Sequence, residues 1–236
     1  MDKLIDTLKI LKNKLQEKYD LSDNFLNQLL SVYPFNKFEY VISHLLAEKI
    51  IELKDYLDIR QEYIVRNKFL HLFEITAPRN FGETWAQNHL NELVQELQRP
   101  SNKLDSAFNG EYDFWYDKIK IEVKASRAVK RKSGDSLVDK ALAFDSAHGF
   151  DMNFQQIKPR CCDVFVWIGV WRDVIKYWIL SSADVENNIR FSKGQHRGNV
   201  GEGQLWITEK NIKEFEQFLV VPRDILQAII TRAINK

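Results

Sequence analysis

Only two cysteines, Cys161 and Cys162, occur in this chain of 236 residues, and they are adjacent. Neighbouring residues seldom form a good bridge, and two thiols do not make a metal quartet. A disulfide scaffold and a zinc ribbon are therefore excluded, and the expectation is a reduced, packed pair. Nine glycines and five prolines are too few for low-complexity linkers. No apolar run reaches the roughly 18 residues that a membrane span needs, and Met1-Asp2-Lys3-Leu4 lacks the basic-then-apolar layout of a secretory leader. The expectation is a cytoplasmic protein with no membrane partner. Excess charge of one sign is missing too. A formal net charge of +1 gives no global basic field for a polyanion.

What remains is the composition of a folded protein, with 44% hydrophobic and 28% charged residues, enough for one large domain or a domain with an appendage. The first third reads as helical. Leu4, Leu8, Leu11 and Leu15 recur at helical spacing, Asp20-Leu21-Ser22-Asp23 offers caps for a second helix to about residue 32, and Pro34 breaks it. A third helix is expected from Phe38 to about Tyr56 and a fourth over residues 61–73. After the break at Ala77-Pro78, another helix is expected over residues 83–98. Strand signals then take over. Residues 111–116 are short and aromatic. Residues 118–125 alternate, with Ile119, Ile121 and Val123 on one face and Lys120, Glu122 and Lys124 on the other. Residues 127–149 are expected as loop with some helix, and residues 153–158 as a helical turn before Pro159. Residues 163–171 are almost wholly apolar, as in a strand buried on both faces, with a hairpin partner at 174–180. A glycine-rich loop over 191–204, a short strand at 205–207 and helices at 209–219 and 223–234 close the chain. The fold class expected is α/β, a mixed central sheet flanked by helices, with a helical N-terminal subdomain over residues 1–75 and a second domain over 76–236.

The chemistry concentrates in one place. Glu111-Tyr112-Asp113 is followed, eight residues later, by Glu122-Val123-Lys124. Alternation points Glu122 and Lys124 the same way, so an acid on the neighbouring strand would bring three charged groups together. Two close carboxylates repel unless a cation lies between them, and magnesium suits such a site, with phosphate and water completing its shell. The ion polarises a phosphoryl oxygen and acidifies a bound water, while a lysine beside it orients that water and offsets transition-state charge. A bare acid-x-lysine is common, and context singles this one out. Lys118, Lys120, Lys124, Arg127, Lys130, Arg131 and Lys132 form a basic run against one acid, Glu122, beside the constellation. Phosphate contacts draw on such bases. His148 lacks the spacing of a metal or catalytic histidine and is read as an ordinary loop residue. Trp115, in a polar stretch, is a candidate to stack on a base.

In order and spacing, Gly82-Glu83-Thr84-Trp85-Ala86, Glu111-Tyr112-Asp113, Ile121-Glu122-Val123-Lys124 and Phe154-Gln155-Gln156 resemble the PD-(D/E)XK nuclease superfamily over roughly residues 80–180. Tyr112 stands where that family often has proline. The resemblance implies a restriction-endonuclease-like fold in which Asp113 and Glu122 bind Mg2+ and Lys124 assists the attacking water. Glu83 contributes a further acid from the helix, and Gln155 or Gln156 lines the site. Size and layout are similar to a Type II restriction endonuclease, which implies a homodimer that cuts both strands of a short site in double-stranded DNA. Arg127, Lys130, Arg131, Lys132, His196, Arg197 and Asn199 are the candidate DNA-binding residues, since arginine grips guanine and asparagine adenine in two places. The alternatives are a repair or recombination endonuclease of the same fold and a non-catalytic DNA-binding module.

Overall fold

The computed structural model describes Ile10, Asn13, Lys14 and Glu17 and residues 39–131, 134–194 and 202–234. The chain divides into two compact units, Met1–His71 and Leu72–Lys236, so the division falls at 71/72 where 75/76 was expected. In the first unit, helices α1 (Glu39–Ala47) and α2 (Leu53–Arg66) take the place of the single helix expected to reach Tyr56. The interruption has a local cause. Lys49 adopts a left-handed φ of 55°, and the amides of Lys49 and Ile50 turn back to cap the Leu46 and Leu45 carbonyls. Glu52 and Asp55 then form a capping box that starts α2. The expected helices before residue 38 lie almost wholly outside the described residues.

The second unit is mixed α/β. A π-helical segment, Asn80–Ala86, runs directly into α3 (Gln87–Leu93). The strands are β1 (Phe114–Tyr116), β2 (Ile119–Arg127), β3 (Val129–Lys130), β4 (Phe150–Ile157), β5 (Val164–Val170), β6 (Ile175–Ser181), β7 (Ser192–Lys193), β8 (Gly203–Thr208) and β9 (Leu219–Val220). Helix α4 (Ser182–Glu186) follows β6, and α5 (Ile225–Ile234) lies against it near the chain end. Residues 212–218 form a 3-10 segment where an α-helix was expected. One sheet has the order β1-β2-β5-β6-β9, the other β3-β4-β8-β7. Within the first, β2 and β5 are parallel and the other pairs antiparallel.

Burial explains the arrangement. Every residue of β5 is buried, as its unbroken apolar run requires. Met152, Phe154, Leu205 and Ile207, from the inner face of the second sheet, share one core with Phe165, Trp167 and Trp178 of the first. Phe154 stacks on Trp167 at 4.7 Å between ring centroids. Gly169 is required by this packing, because a Cβ there would come within 2.5 Å of the Trp178 ring. Residues 153–158 are not a helical turn but belong to β4. The strand buries Phe150, Met152 and Phe154 in strict alternation. A bulge, with Gln156 at φ 54°, then moves the next buried position to Ile157. The resulting spacing of three mimics a helix.

Candidate active site

The geometry starts from a two-residue turn. Asp117 and Lys118 both take positive φ, 42° and 68°, as a type I′ hairpin requires. That turn sets Tyr116 opposite Ile119 and Phe114 opposite Ile121. Beyond Phe114 the ladder slips by one residue: the Asp113 amide donates to the Ile121 carbonyl at 2.9 Å, and the Asp113 carboxylate accepts from the Val123 amide at 2.8 Å. That bond draws the Asp113 side chain over β2, where its carboxyl meets and hydrogen-bonds that of Glu122. Lys124, two residues along β2, joins them, its Nζ 2.7 Å from Glu122 Oε1. The three side chains expected to converge are together.

They are also largely withdrawn from water, with 18% of the Lys124 side chain and 12% of the Glu122 side chain exposed. Burial pushes the Glu122 carboxyl up to about 7 against the pull of Lys124, and the neighbouring Asp113 adds to the rise. Burial likewise raises Asp113, over the opposing hydrogen bond from the Val123 amide and the charge of Lys124. Burial disfavours the Lys124 ammonium, but Glu122 and Asp113 together outweigh it and hold the group above its ordinary value. The trio is thus a protonated lysine serving two carboxyls that resist ionising together. A hard divalent ion resolves this conflict, because it replaces the shared proton with a charge that both carboxylates can face. Among the described residues no group of three His, Cys, Asp or Glu side chains converges as a cage. Magnesium needs none, since one or two carboxylates with water and phosphate suffice.

Asp113 is held from two sides. Its Oδ2 accepts from the Val123 amide at 2.8 Å and its Oδ1 from Gln87 Nε2 at 2.5 Å. Gln87 opens α3, and its Oε1 accepts in turn from Arg99. The sequence reading missed both residues, since neither belongs to a charged motif. Glu83, expected to serve the site from the helix, is exposed on the cleft rim and pairs with Arg79 at 2.5 Å instead. Glu83 and Gln87 are four residues apart and both line the cleft, and it is Gln87, one turn further on, that reaches Asp113. Gly82 has open space around it, and sterics do not explain its place in the motif.

The trio lies in an open cleft of about 1410 Å³. One wall is the segment from Thr76 to Gln87. The other is the outward face of β4 and β8, where Asp151, Asn153, Gln155, Gln156 and Trp206 line the space. Gln155 and Gln156 are both exposed there. Asn153 donates to Gln204 Oε1 at 3.2 Å, and its own Oδ1 is buried without a partner. Arg79, Lys124 and Lys158 each face an acid of the same cleft, Glu83, Glu122 and Glu202.

The candidate DNA-binding residues fare differently from the trio. Arg127 is built into the fold. Its guanidinium lies 3.8 Å from the Phe81 ring centre and donates to the Ile75 carbonyl at 2.6 Å, and burial lowers its pKa to about 10. Arg131 forks onto Asp151, with Nη2 at 2.6 Å from Oδ1, and Lys130 is exposed on β3. Lys132, His196, Arg197 and Asn199 lie outside the described residues. Trp115 is half-buried, packed near Tyr112 and bridged through its backbone to Gln98. His148 is exposed in a loop. No helix among the described residues is long and apolar enough to cross a membrane. No protein-family model and no curated protein sequence matches the chain.

Proposed function

We propose that this protein is a magnesium-dependent endonuclease that hydrolyses phosphodiester bonds in double-stranded DNA at a specific sequence, in the manner of a Type II restriction enzyme with a restriction-endonuclease-like fold. One observation carries the reading: Asp113, Glu122 and Lys124 gather at the floor of a cleft open enough for a nucleic-acid strand. A mixed sheet flanked by helices is compatible with it.

Asp113 and Glu122 would hold the ion, which supplies Lewis-acid polarisation of the phosphoryl oxygen and an acidified water. The chain's own residues do the rest. Lys124, with its proton on, donates toward the attacking oxygen or a non-bridging phosphoryl oxygen and offsets the charge that builds there. Val123 and Gln87 fix the Asp113 carboxylate, so little reorganisation is needed at the moment of attack. The outward face of β4 and β8 brings Asn153 and Gln155 to the same cleft. Amide side chains are the type that reads adenine edges in the major groove. Two-fold symmetric sites call for a homodimer.

The test is a digest of a long unmodified duplex. With magnesium, discrete fragments are expected, and Asp113→Asn abolishes them. Calcium is expected to support binding without efficient cleavage. An intact duplex, or fragments that persist in chelator or in the Asp113→Asn variant, would remove this reading. Cutting confined to mismatched or branched substrates would favour a repair nuclease instead.

A further inference from the structure

We infer that Gln87, held in place by Arg99, is the positioning residue for the metal-binding carboxylate of Asp113, and that it is the helix's contribution to the site. This rests on the nuclease reading given above.

The orientation of the Gln87 amide follows from its partners. Arg99 can only donate, and an ionised carboxylate can only accept. The amide therefore presents oxygen to the guanidinium and nitrogen to Asp113, as found, at 2.5 Å for the bond to Asp113. Arg99 is itself pinned. Its guanidinium lies 4.4 Å from the centre of the Phe114 ring, and the Gln98–Trp115 backbone bridge holds it beside β1. The hairpin that carries Asp113 thus also fixes the base of the relay that orients it.

This geometry has two consequences. Each carboxylate oxygen of Asp113 takes one donor, from Gln87 and from the Val123 amide. The remaining lone pairs, about four sites less the two in use, are left for Glu122 and an incoming ion. The amide also passes on the attraction of Arg99 without placing a full positive charge on the ligand. Groups that hold a ligand in this way typically alter metal affinity by about 10–100-fold when removed.

The experiment is a titration of the full-length protein with Mn2+, followed by electron paramagnetic resonance, with no DNA present. Far-UV circular dichroism checks that each variant is folded. Gln87→Met keeps the side chain's length and apolar stem but removes both hydrogen bonds. It is expected to weaken Mn2+ binding by about 10–100-fold, and Arg99→Met to weaken it in the same direction by less. A Gln87→Met protein that binds Mn2+ as tightly as the wild type overturns the inference. Should that variant not fold, Arg99→Met decides, and unchanged affinity there overturns the relay. The parent reading is tested separately. A wild type that binds no Mn2+, or one whose affinity is untouched by Asp113→Ala, ends the metal site itself and the role of Gln87 with it. Tight wild-type binding with an inert Gln87 ends only the positioning role.

Discussion

The hairpin corner and the basic run overlap in sequence, yet the fold treats them in opposite ways. At the corner, charge is concentrated. Asp113, Glu122 and Lys124 are drawn together, and their mutual electrostatics are unresolved without a cation. Along the described part of the run, charge is dispersed. Lys118 sits in the turn, Lys120 pairs with Asp105 at 2.8 Å, Arg127 reaches back to Ile75 and Arg131 is forked onto Asp151. A run of bases read along a chain is therefore not a basic surface. A strand deals its side chains alternately to two faces, and Lys120, Arg127 and Arg131 each meet a local acid or carbonyl. What sets the candidate cluster apart is that two carboxyls and a lysine share one largely buried spot.

The largest effect that would sharpen this contrast is on turnover. Lys124→Ala is expected to lower the cleavage rate by about 10²–10³-fold while leaving duplex binding largely intact. Arg131→Ala changes the rate little. Single-turnover cleavage and a gel-shift assay read the two quantities apart. Equal losses of cleavage in the two variants would erase the difference between corner and run.

Next in size is a pH dependence. Glu122 in the unfolded chain titrates near its ordinary value and in the folded, metal-free protein near 7. Between those values the folded state binds more proton than the unfolded one, so stability is fully present at acid pH and falls as pH rises toward and through 7. Asp113, also raised, contributes in the same sense. Thermal melts in chelator from pH 5 to 8 are expected to fall across this window, and Glu122→Gln flattens the fall. Magnesium, which selects the ionised form, restores stability at the upper end. Stability that climbs with pH over the same range would mean that the corner is not strained at all.

Arg127 tests the other half of the comparison. Its removal leaves the Ile75 carbonyl without its donor and the Phe81 face uncovered. Arg127→Ala is therefore expected to cost about 1–3 kcal/mol of stability, measured by denaturant unfolding, without changing the salt dependence of DNA binding. A reduced salt slope with unchanged stability would return Arg127 to the DNA contacts.

Parts of this were legible in the sequence for definite reasons. The alternation of β2 and the unbroken apolar run of β5 follow from periods that a strand enforces. The shared face of Glu122 and Lys124 follows from alternation, and the short hairpin brings Asp113 beside them, where the Val123 amide donates to its carboxylate. Other parts were hidden because two local signals conflicted. In β4 the bulge at Gln155-Gln156 replaced a period of two with a step of three. On the helix, the residue that reaches Asp113 is a neutral one, Gln87, whose type carries no motif signal. The second sheet, which supplies a wall of the cleft, could not be seen while β4 read as a turn.

The smallest effect lies in the turn that sets the register. Lys118 holds φ 68°, a conformation that costs a residue with a Cβ and suits glycine. Asp-Gly is a favoured type I′ pair. Lys118→Gly is therefore expected to stabilise the protein by about 0.5–1 kcal/mol, read as a modest rise in the unfolding midpoint. It also removes one base of the run without touching the corner. If charge in the run mattered as it does at the corner, this substitution would weaken DNA binding. If the run serves the fold, the protein becomes more stable and cuts as before. A single variant thus separates the geometric use of a residue from its electrostatic use, at the turn on which the position of Asp113 depends.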